Sequence, residues 1–188
     1  LATGSNDSIQ GTGYGAAAYL ASGTSITSAR AWNEPAATTN IVFSATQWSL
    51  DTFGEDLLGV KRGFKLCHWD ADESQTPARA NIITGSPNQI NSIVVSPNDR
   101  HVIALGANEY ATGTFNPMLI RWADQESLTD WTPTTTNTSG SLRIGDGSKI
   151  MGGVKSRGAM LIWTDSSVHG LQFIGPPYTF GLQQLGAN

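Results

Sequence analysis

Three short apolar segments, each leading into a tryptophan and then an aspartate, constrain the fold of this chain most. They are residues 66–70, 119–124 and 161–165, with the tryptophans Trp69, Trp122 and Trp163. The tryptophans recur after about 50 and about 40 residues, roughly the length of one four-stranded propeller blade. Because each apolar run ends in a residue that can start a tight turn, the spacing predicts radially repeated antiparallel sheet.

Composition also favours an all-β chain. Charged residues make up only 14% and glycine reaches 21 of 188 residues, whereas an average soluble protein is about 25% charged. Turn signals separate short alternating runs every 8 to 12 residues or so, as in meander sheets. The predicted strands are 39–50, 63–69, 89–95, 101–107, 118–122, 149–155, 159–164 and 168–174. A turn is predicted at 51–56, and helix at most as a turn at 124–128 or at 33–37.

Two regions follow from this pattern. Residues 1–38 are small and polar without sustained periodicity, which predicts an irregular arm that gains order only against a partner. Residues 39–188 predict a β-propeller-like domain of antiparallel blades. Because the last residues, 183–188, show no obvious final element, we expect this domain to be a partial one within a longer polypeptide.

The net charge of −4 and a pI near 5.2 argue against nucleic acid as a tightly held ligand. No stretch of about 18 uninterrupted apolar residues occurs, so no membrane span is predicted. The single cysteine, Cys67, lies in an apolar strand block, which favours a buried inert thiol over a nucleophile.

Motifs for cofactors and metals are weak. Residues 11–16 match the loose dinucleotide fingerprint, but no apolar strand precedes them and no convincing helix follows. His68, His101 and His169 are far apart and lack Cys or carboxylate partners at ligand spacing. Asp146, between two glycines, lacks the further acidic positions of a calcium loop. We therefore predict no cofactor and no metal site.

Carboxylates cluster at Glu55 and Asp56, at 70–73, and at Asp124 and Glu126. Such pairs can supply the general acid and base of glycoside hydrolysis, a reaction that propellers do host. They follow predicted strand ends, however, where aspartate ordinarily bonds the backbone of its own turn. We therefore predict no catalytic residue and expect that the chain is not an enzyme.

The tryptophans are expected to serve packing. Trp122 and Trp131 are predicted to seal adjacent blades, because aromatic side chains bury a large area each. Trp69 and Trp163 are assigned the same packing role by their place in the repeat.

Four segments carry a resemblance to a known family: residues 48–58, 69–70, 121–133 and 162–178. Together they resemble tail proteins of tailed bacteriophages, and most closely the tail nozzle or hub proteins of short-tailed phages. The resemblance covers about residues 40–188. It implies a β-propeller-containing virion protein that assembles as a ring around the DNA exit channel. It further implies a hexamer that contacts neighbouring tail proteins such as the adaptor and fibres, and is located in the phage tail.

Two functions remain open on the sequence. The first is a structural subunit of a phage tail through which DNA passes transiently, without sequence-specific binding. The second is a carbohydrate-binding or glycoside-hydrolysing propeller domain that uses tryptophan faces and acidic loops. A conduit suits a chain with few fixed positive charges, because each Lys or Arg that neutralises a phosphate adds a salt-dependent grip on DNA.

Overall fold

Three consecutive antiparallel sheets form the part of the chain that the computed structural model describes, residues 47–72, 80–175 and 178–187. These residues belong to one unit, Thr46–Asn188. They contain twelve β-strands and no helix. The all-β prediction is therefore confirmed for these ranges, while the predicted arm, 1–38, and the possible helical turn at 33–37 lie outside them.

Each sheet has four strands that follow one another in sequence order. Sheet A contains β1 (Trp48–Phe53), β2 (Asp56–Lys61), β3 (Leu66–Trp69) and β4 (Asn81–Ile82). Sheet B contains β5 (Ile90–Val95), β6 (Val102–Asn108), β7 (Phe115–Trp122) and β8 (Gly140–Arg143). Sheet C contains β9 (Ile150–Ser156), β10 (Ala159–Thr164), β11 (Ser167–Gly175) and β12 (Thr179–Ala187).

Glycine sets two of the hairpin turns. Phe53 pairs with Asp56 across the β1–β2 loop, where Gly54 has φ +70°. Ser156 pairs with Ala159 across the β9–β10 loop, where Gly158 has φ +81°. Positive φ is accessible to glycine without steric cost, and two-residue hairpin loops require it at one or both positions. These loops therefore fix the register of the strands that they join.

The middle sheet, B, packs on both of its neighbours. All seven residues of β6 are buried. Val102 and Ala104 belong to a core cluster shared with sheet A, whereas Ile103 and Leu105 belong to a cluster shared with sheet C. Successive residues of a strand point to opposite faces, so sheet B lies between sheets A and C. Sheets A and C therefore each have one inner face and one outer face.

The first strands of the sheets lie next to one another. β1 packs beside β5, and β5 packs beside β9. The last strands, β4, β8 and β12, lie at the opposite edges of their sheets. The first strands of the three meanders therefore lie side by side, in the order β1, β5, β9.

Most of the predicted strands are confirmed within the described ranges. The segment predicted at 159–164 is β10, and β3, β5, β6, β7, β9 and β11 overlap their predictions closely. Residues 124–128 form a turn, with the Ser127 amide bonded to the Asp124 carbonyl at 3.1 Å. The turn predicted at 51–56 is wrong in its extent, because β1 continues to Phe53 and β2 begins at Asp56. Four strands were not predicted: β2, β4, β8 and β12.

The tryptophan repeat does not correspond to a structural repeat. Trp69 and Trp122 both end the third strand of their sheet, but Trp69 shares a face with Leu57, opposite the core residue Leu58. Trp122 instead belongs to the core between sheets B and C. Trp163 lies in a second strand, β10. The expectation that the three segments occupy equivalent settings is therefore wrong, although the sheets do recur.

Candidate functional site

One carboxylate, Asp51, joins the first strands of all three sheets. Its Oδ2 accepts a hydrogen bond from the Val95 amide of β5 at 2.7 Å, and its Oδ1 lies 2.6 Å from Lys155 Nζ of β9. Two residues earlier, Ser49 Oγ accepts from the Ile93 amide at 3.1 Å. Side chains two residues apart on β1 thus satisfy alternate amides along the free edge of β5, which would otherwise be open to pairing with another chain.

The Asp51 junction is a positioning device more than a source of stability. The Asp51 side chain is 15% exposed and that of Lys155 is 36% exposed. Ion pairs this accessible contribute at most about 1 kcal/mol. The contact does, however, link β9 to β1, both of which pack beside β5. The sequence pattern predicted a turn at Asp51 and did not indicate that its carboxylate connects three strands.

The outer face of sheet A is apolar and exposed. Strand register places five large side chains on this face: Trp48, Leu50, Leu57, Trp69 and Ile82. Trp48 is 52% exposed and Leu50 is 60% exposed. Leu50 lies over Gly59 of the paired strand, where a Cβ would come within 3.0 Å of Leu50 Cδ2. A contiguous apolar face of this kind is typical of an interaction surface.

The outer face of sheet C is also apolar, but it is concave. Val154, Trp163, Ile174 and Leu185 are exposed on it. Between Ile174 and Leu185 lies an open hollow of about 280 Å³, floored by Gly170 and Gly181. The Leu185 side chain lies over Gly170 and the Ile174 side chain lies over Gly181, so these two side chains form walls of the hollow.

A buried polar chain runs through sheet B around His101, which is fully buried. The Nδ1 atom of His101 lies 2.6 Å from Asp99 Oδ2, and Asp99 Oδ1 accepts from Ser96 Oγ at 2.6 Å. On the other side, His101 Nε2 lies 2.9 Å from Thr138 Oγ1, which donates to Asp124 at 2.5 Å. This chain of bonds ties the β5–β6 turn to the segment before β8.

The His101 ring also contacts sheet C. Its centroid is 5.6 Å from that of Phe173 and 5.2 Å from that of Phe180. A histidine beside an aspartate is a common element of catalytic sites, but this ring is enclosed by protein on both sides. The geometry is that of a satisfied buried network, which rigidifies a core when every member is bonded.

Three aspartates at strand ends bond the backbone of neighbouring turns. The His68 side chain, followed by the Ala71 amide, holds the pKa of Asp56 below its usual range. Burial alone would raise the pKa of Asp124, but hydrogen bonds from the Thr138 hydroxyl and amide outweigh it and lower that pKa. These bonds favour the ionised carboxylate.

Asp165 shows the same behaviour on an exposed turn. Hydrogen bonds from the Ser148 hydroxyl and amide lower the pKa of Asp165 to about 2. The general acid of a glycosidase needs a raised pKa. The lowered pKa values of Asp56, Asp124 and Asp165 are therefore the opposite of what a general acid needs. Their hydrogen bonds instead hold the backbone of nearby turns.

The remaining polar candidates lie apart from one another. The described ranges contain no group of three or more His, Cys, Asp or Glu side chains placed to hold a metal ion. His169 Nε2 lies 2.8 Å from Ser167 Oγ, and Asp146 accepts from Gln184 at 3.3 Å.

Burial raises the pKa of the Cys67 thiol, which is 8% exposed. Residues 11–16 lie outside these ranges, within which no helix is long and apolar enough to span a membrane.

Two of the four tryptophans pack as predicted. Trp122 is 4% exposed and Trp131 is 1% exposed. Trp69 and Trp163, by contrast, are 41% and 37% exposed, so neither belongs to the core of the described residues and their packing role stays a prediction. Both lie on outer sheet faces, where the strand alternation directs them away from sheet B.

Sequence reasoning missed Arg121, which is 5% exposed in the middle of sheet B. Its guanidinium donates to the carbonyls of Asn108 and Trp131 at 2.9 and 2.8 Å. Burial lowers the pKa of this arginine. Arg121 therefore holds the loop that carries Trp131 against the sheet. The only hint in the sequence is a charged residue inside an otherwise apolar strand.

No protein-family model matches the chain, and no curated protein matches it significantly.

Proposed function

We propose that this chain is a structural virion protein of a bacteriophage tail, a subunit of the nozzle or hub ring that forms part of the DNA exit conduit. The segments that resemble such proteins, 121–133 and 162–178, contribute Trp122, Ile162 and Leu171 to the core between sheets B and C. In this role the chain carries out no catalytic step and requires no cofactor or metal. Its location is the virion tail.

The finer architecture that we propose is a set of propeller blades. Two features support it: each sheet is a four-stranded antiparallel meander, and the first strands lie side by side around Asp51. In a propeller the first strand of each blade lines the central channel and successive sheets pack face to face. Asp51 and Lys155 would then lie near the channel wall.

The observation that carries the assembly role is the pair of exposed apolar faces. Trp48 and Leu50 on sheet A, and Ile174 and Leu185 on sheet C, are each more than half exposed. A monomer in water gains nothing by exposing such faces at both ends of one sheet stack. A subunit of a larger ring would cover them.

The charge of the chain suits a conduit. The net charge is −4, and one exposed cation, Lys155, is already paired with Asp51 at 2.6 Å. Such a wall would repel DNA weakly, so the duplex could pass without being held.

The direct test is to locate the chain in virus particles. Purified virions of the phage that encodes it would be labelled with antibodies against residues 80–175 and imaged by electron microscopy. We expect label at the distal tail, with copy number consistent with the hexameric ring that the resemblance implies and with contacts to adaptor and fibre proteins. Particles that lack the chain would refute the proposal.

A second function keeps one observation in its favour. Trp48 and Trp69 are exposed on the same sheet face, and exposed tryptophan rings are suited to stacking against sugars. A carbohydrate-binding or glycoside-hydrolysing domain would bind or cleave glycans, with loss in a Trp48→Ala variant or in Asp70→Asn and Asp124→Asn variants. No binding on a glycan array and no release of reducing sugar would remove this alternative.

A further inference from the structure

We infer that His101 is a positively charged imidazolium inside the folded protein, and that its proton makes the contact between sheets B and C sensitive to pH. The inference concerns a buried group that the proposed tail role does not use. It stands or falls independently of that role, because it rests on a count of hydrogen-bond donors around the ring.

The first ring proton is fixed by Thr138, whose hydroxyl has a single hydrogen to donate. That hydrogen lies between Thr138 Oγ1 and the Asp124 carboxylate, which are 2.5 Å apart, because an ionised carboxylate can only accept. The same hydroxyl oxygen also accepts from the Gln125 amide at 3.1 Å. His101 Nε2, at 2.9 Å from this oxygen, can therefore bond it only by donating.

The second ring proton is fixed by Asp99. His101 Nδ1 lies 2.6 Å from Asp99 Oδ2, and the other carboxylate oxygen accepts from Ser96 Oγ at 2.6 Å. A hydrogen bond from Ser96 favours the ionised form of the carboxylate. Because an ionised Asp99 cannot donate, Nδ1 does. A histidine that donates from both nitrogens is an imidazolium.

The charge of this ring is balanced within the protein. The His101 side chain is fully buried and that of Asp99 is 5% exposed. A buried cation persists where a bonded anion compensates its lost hydration. Asp99 supplies that anion directly, and Asp124 lies beyond Thr138 on the other side of the ring.

Other charged groups on the neighbouring elements are occupied elsewhere or exposed. Arg100 Nη1 lies 3.8 Å from Glu126 Oε1 at the surface, Arg157 is exposed in the β9–β10 loop, and Arg121 of β7 bonds two backbone carbonyls. The sequences of β5, β10, β11 and β12 contain no Asp, Glu, Lys or Arg. His169 of β11 bonds the serine two residues before it. The charges bonded to the ring are thus the two carboxylates already named.

Loss of one ring proton would break this arrangement. A bare Nε2 would face Thr138 Oγ1, whose hydrogen is held by Asp124, and a bare Nδ1 would face the Asp99 carboxylate. In either case two acceptors would face each other at hydrogen-bond distance, which leaves a buried polar group unsatisfied. The ring or the loop that carries Thr138 must then move.

Strained backbone surrounds the same junction. In the described ranges, the residues other than glycine with positive φ are Arg100, Glu126 and Thr179, at +52°, +55° and +60°. Arg100 precedes His101, and Thr179 Oγ1 donates to the Thr138 carbonyl at 3.1 Å. Such conformations persist only where surrounding contacts enforce them. Release of Thr138 would therefore loosen the β5–β6 turn, the loop before β8 and the start of β12 together.

The charge of the ring can be read directly by nuclear magnetic resonance of the full chain with isotope-labelled histidine at about pH 7. The His101 ring is recognised by its contacts with the rings of Phe173 and Phe180. We expect a bonded proton on both nitrogens of His101. We expect one on His169, whose Nδ1 has no hydrogen-bond partner among the described residues. A His101 ring with an unprotonated nitrogen would overturn the inference.

The effect on stability is measured by urea unfolding between about pH 6.5 and 8.5. Histidine in an unfolded chain releases its proton near pH 6.5, whereas the folded chain retains the His101 proton, so stability falls as the pH rises. The unfolding equilibrium constant should increase by up to about tenfold per pH unit for this one proton. His101→Gln and Asp99→Asn should each lose that increase. The control, His169→Gln, should keep it, because His169 is also buried, at 4% exposed.

An equal pH dependence in the unaltered chain and in His101→Gln would overturn the inference. The His68–Asp56 pair is present in all of these variants, so its own titration does not affect the comparison. Where a substitution prevents folding, the ring protons of the unaltered chain still decide.

Discussion

Replacement of Trp122 by alanine should destabilise the fold more than truncation of a tryptophan that lies on an outer sheet face. Trp122 is 4% exposed in the core between sheets B and C, and its ring centroid lies 5.1 Å from that of Phe180. Loss of roughly 200 Å² of buried apolar area at about 25 cal/mol per Å² gives about 5 kcal/mol as an upper value. Trp→Ala replacements in cores typically cost about 3–5 kcal/mol.

A hydrogen bond adds to this loss. Trp122 Nε1 donates to the Thr138 carbonyl at 2.8 Å. That carbonyl keeps its second hydrogen bond, from the Thr179 hydroxyl at 3.1 Å, so loss of the indole bond costs about 1 kcal/mol. We therefore expect Trp122→Ala to lower the free energy of unfolding by about 4 kcal/mol. The control is Trp163→Ala, whose side chain is 37% exposed and should cost about 1 kcal/mol.

Equilibrium unfolding in urea, followed by far-ultraviolet circular dichroism, measures both values. A double-mutant cycle with Gly140→Ala sharpens the test, because a Cβ at Gly140 would lie 2.6 Å from Trp122 Cζ2. That substitution should cost about 1–3 kcal/mol in the unaltered chain and little beside Trp122→Ala. Equal costs for the two tryptophans, or no coupling in the cycle, would refute the assigned packing.

Three further outcomes are expected. Gly85→Ala should lower the free energy of unfolding several-fold more than Gly63→Ala. Both glycines have positive φ, but only at Gly85 would a Cβ overlap the Thr129 carbonyl oxygen. Equal losses of stability in urea would contradict this geometry. Because the pKa of Asp165 falls from 3.8 to about 2 on folding, its stabilising effect is full above pH 4 and is lost as the pH falls towards 2. In Asp165→Asn, the urea midpoint of unfolding should therefore decrease less steeply as the pH is lowered through this range. An unchanged decrease would count against the hydrogen bonds to Ser148. Cys67, buried and with a raised pKa, should react with a thiol reagent at pH 8 only slowly until urea unfolds the chain, and prompt reaction in the native state would show that it is accessible.

The strands that sequence analysis located are those in which local signals agree with the tertiary fold. In β10, Met160 and Ile162 are buried at alternate positions, and Gly158 marks the preceding turn. In β6 the apolar residues run without interruption because both faces are covered, and the length and bounding turns still identify a strand. Local pattern sufficed in both cases.

The missed strands depend on partners far along the chain. β12 contains Gly181, Gln183, Gln184 and Gly186, residues of low or moderate strand propensity, yet it pairs with β11 along its length. β2 begins at an aspartate and contains Gly59, so it reads as part of a turn. In both strands pairing outweighs intrinsic propensity, and pairing is not visible in a single sequence.

The outer faces were missed because of strand parity. Trp69 follows His68, and a shift of one residue moves a side chain from the core face to the outer face of a sheet. Nothing in the segment itself states which parity faces sheet B. The Asp51 junction has the same origin, since its partners Val95 and Lys155 lie 44 and 104 residues away.

A cryo-electron microscopy reconstruction of the assembled chain tests the central claim most directly. We expect four-stranded sheets arranged radially, with β1, β5 and β9 innermost and the exposed outer faces of sheets A and C covered by neighbouring protein. A flat stack of sheets without a common axis, or particles in which both outer faces remain exposed to solvent, would contradict it.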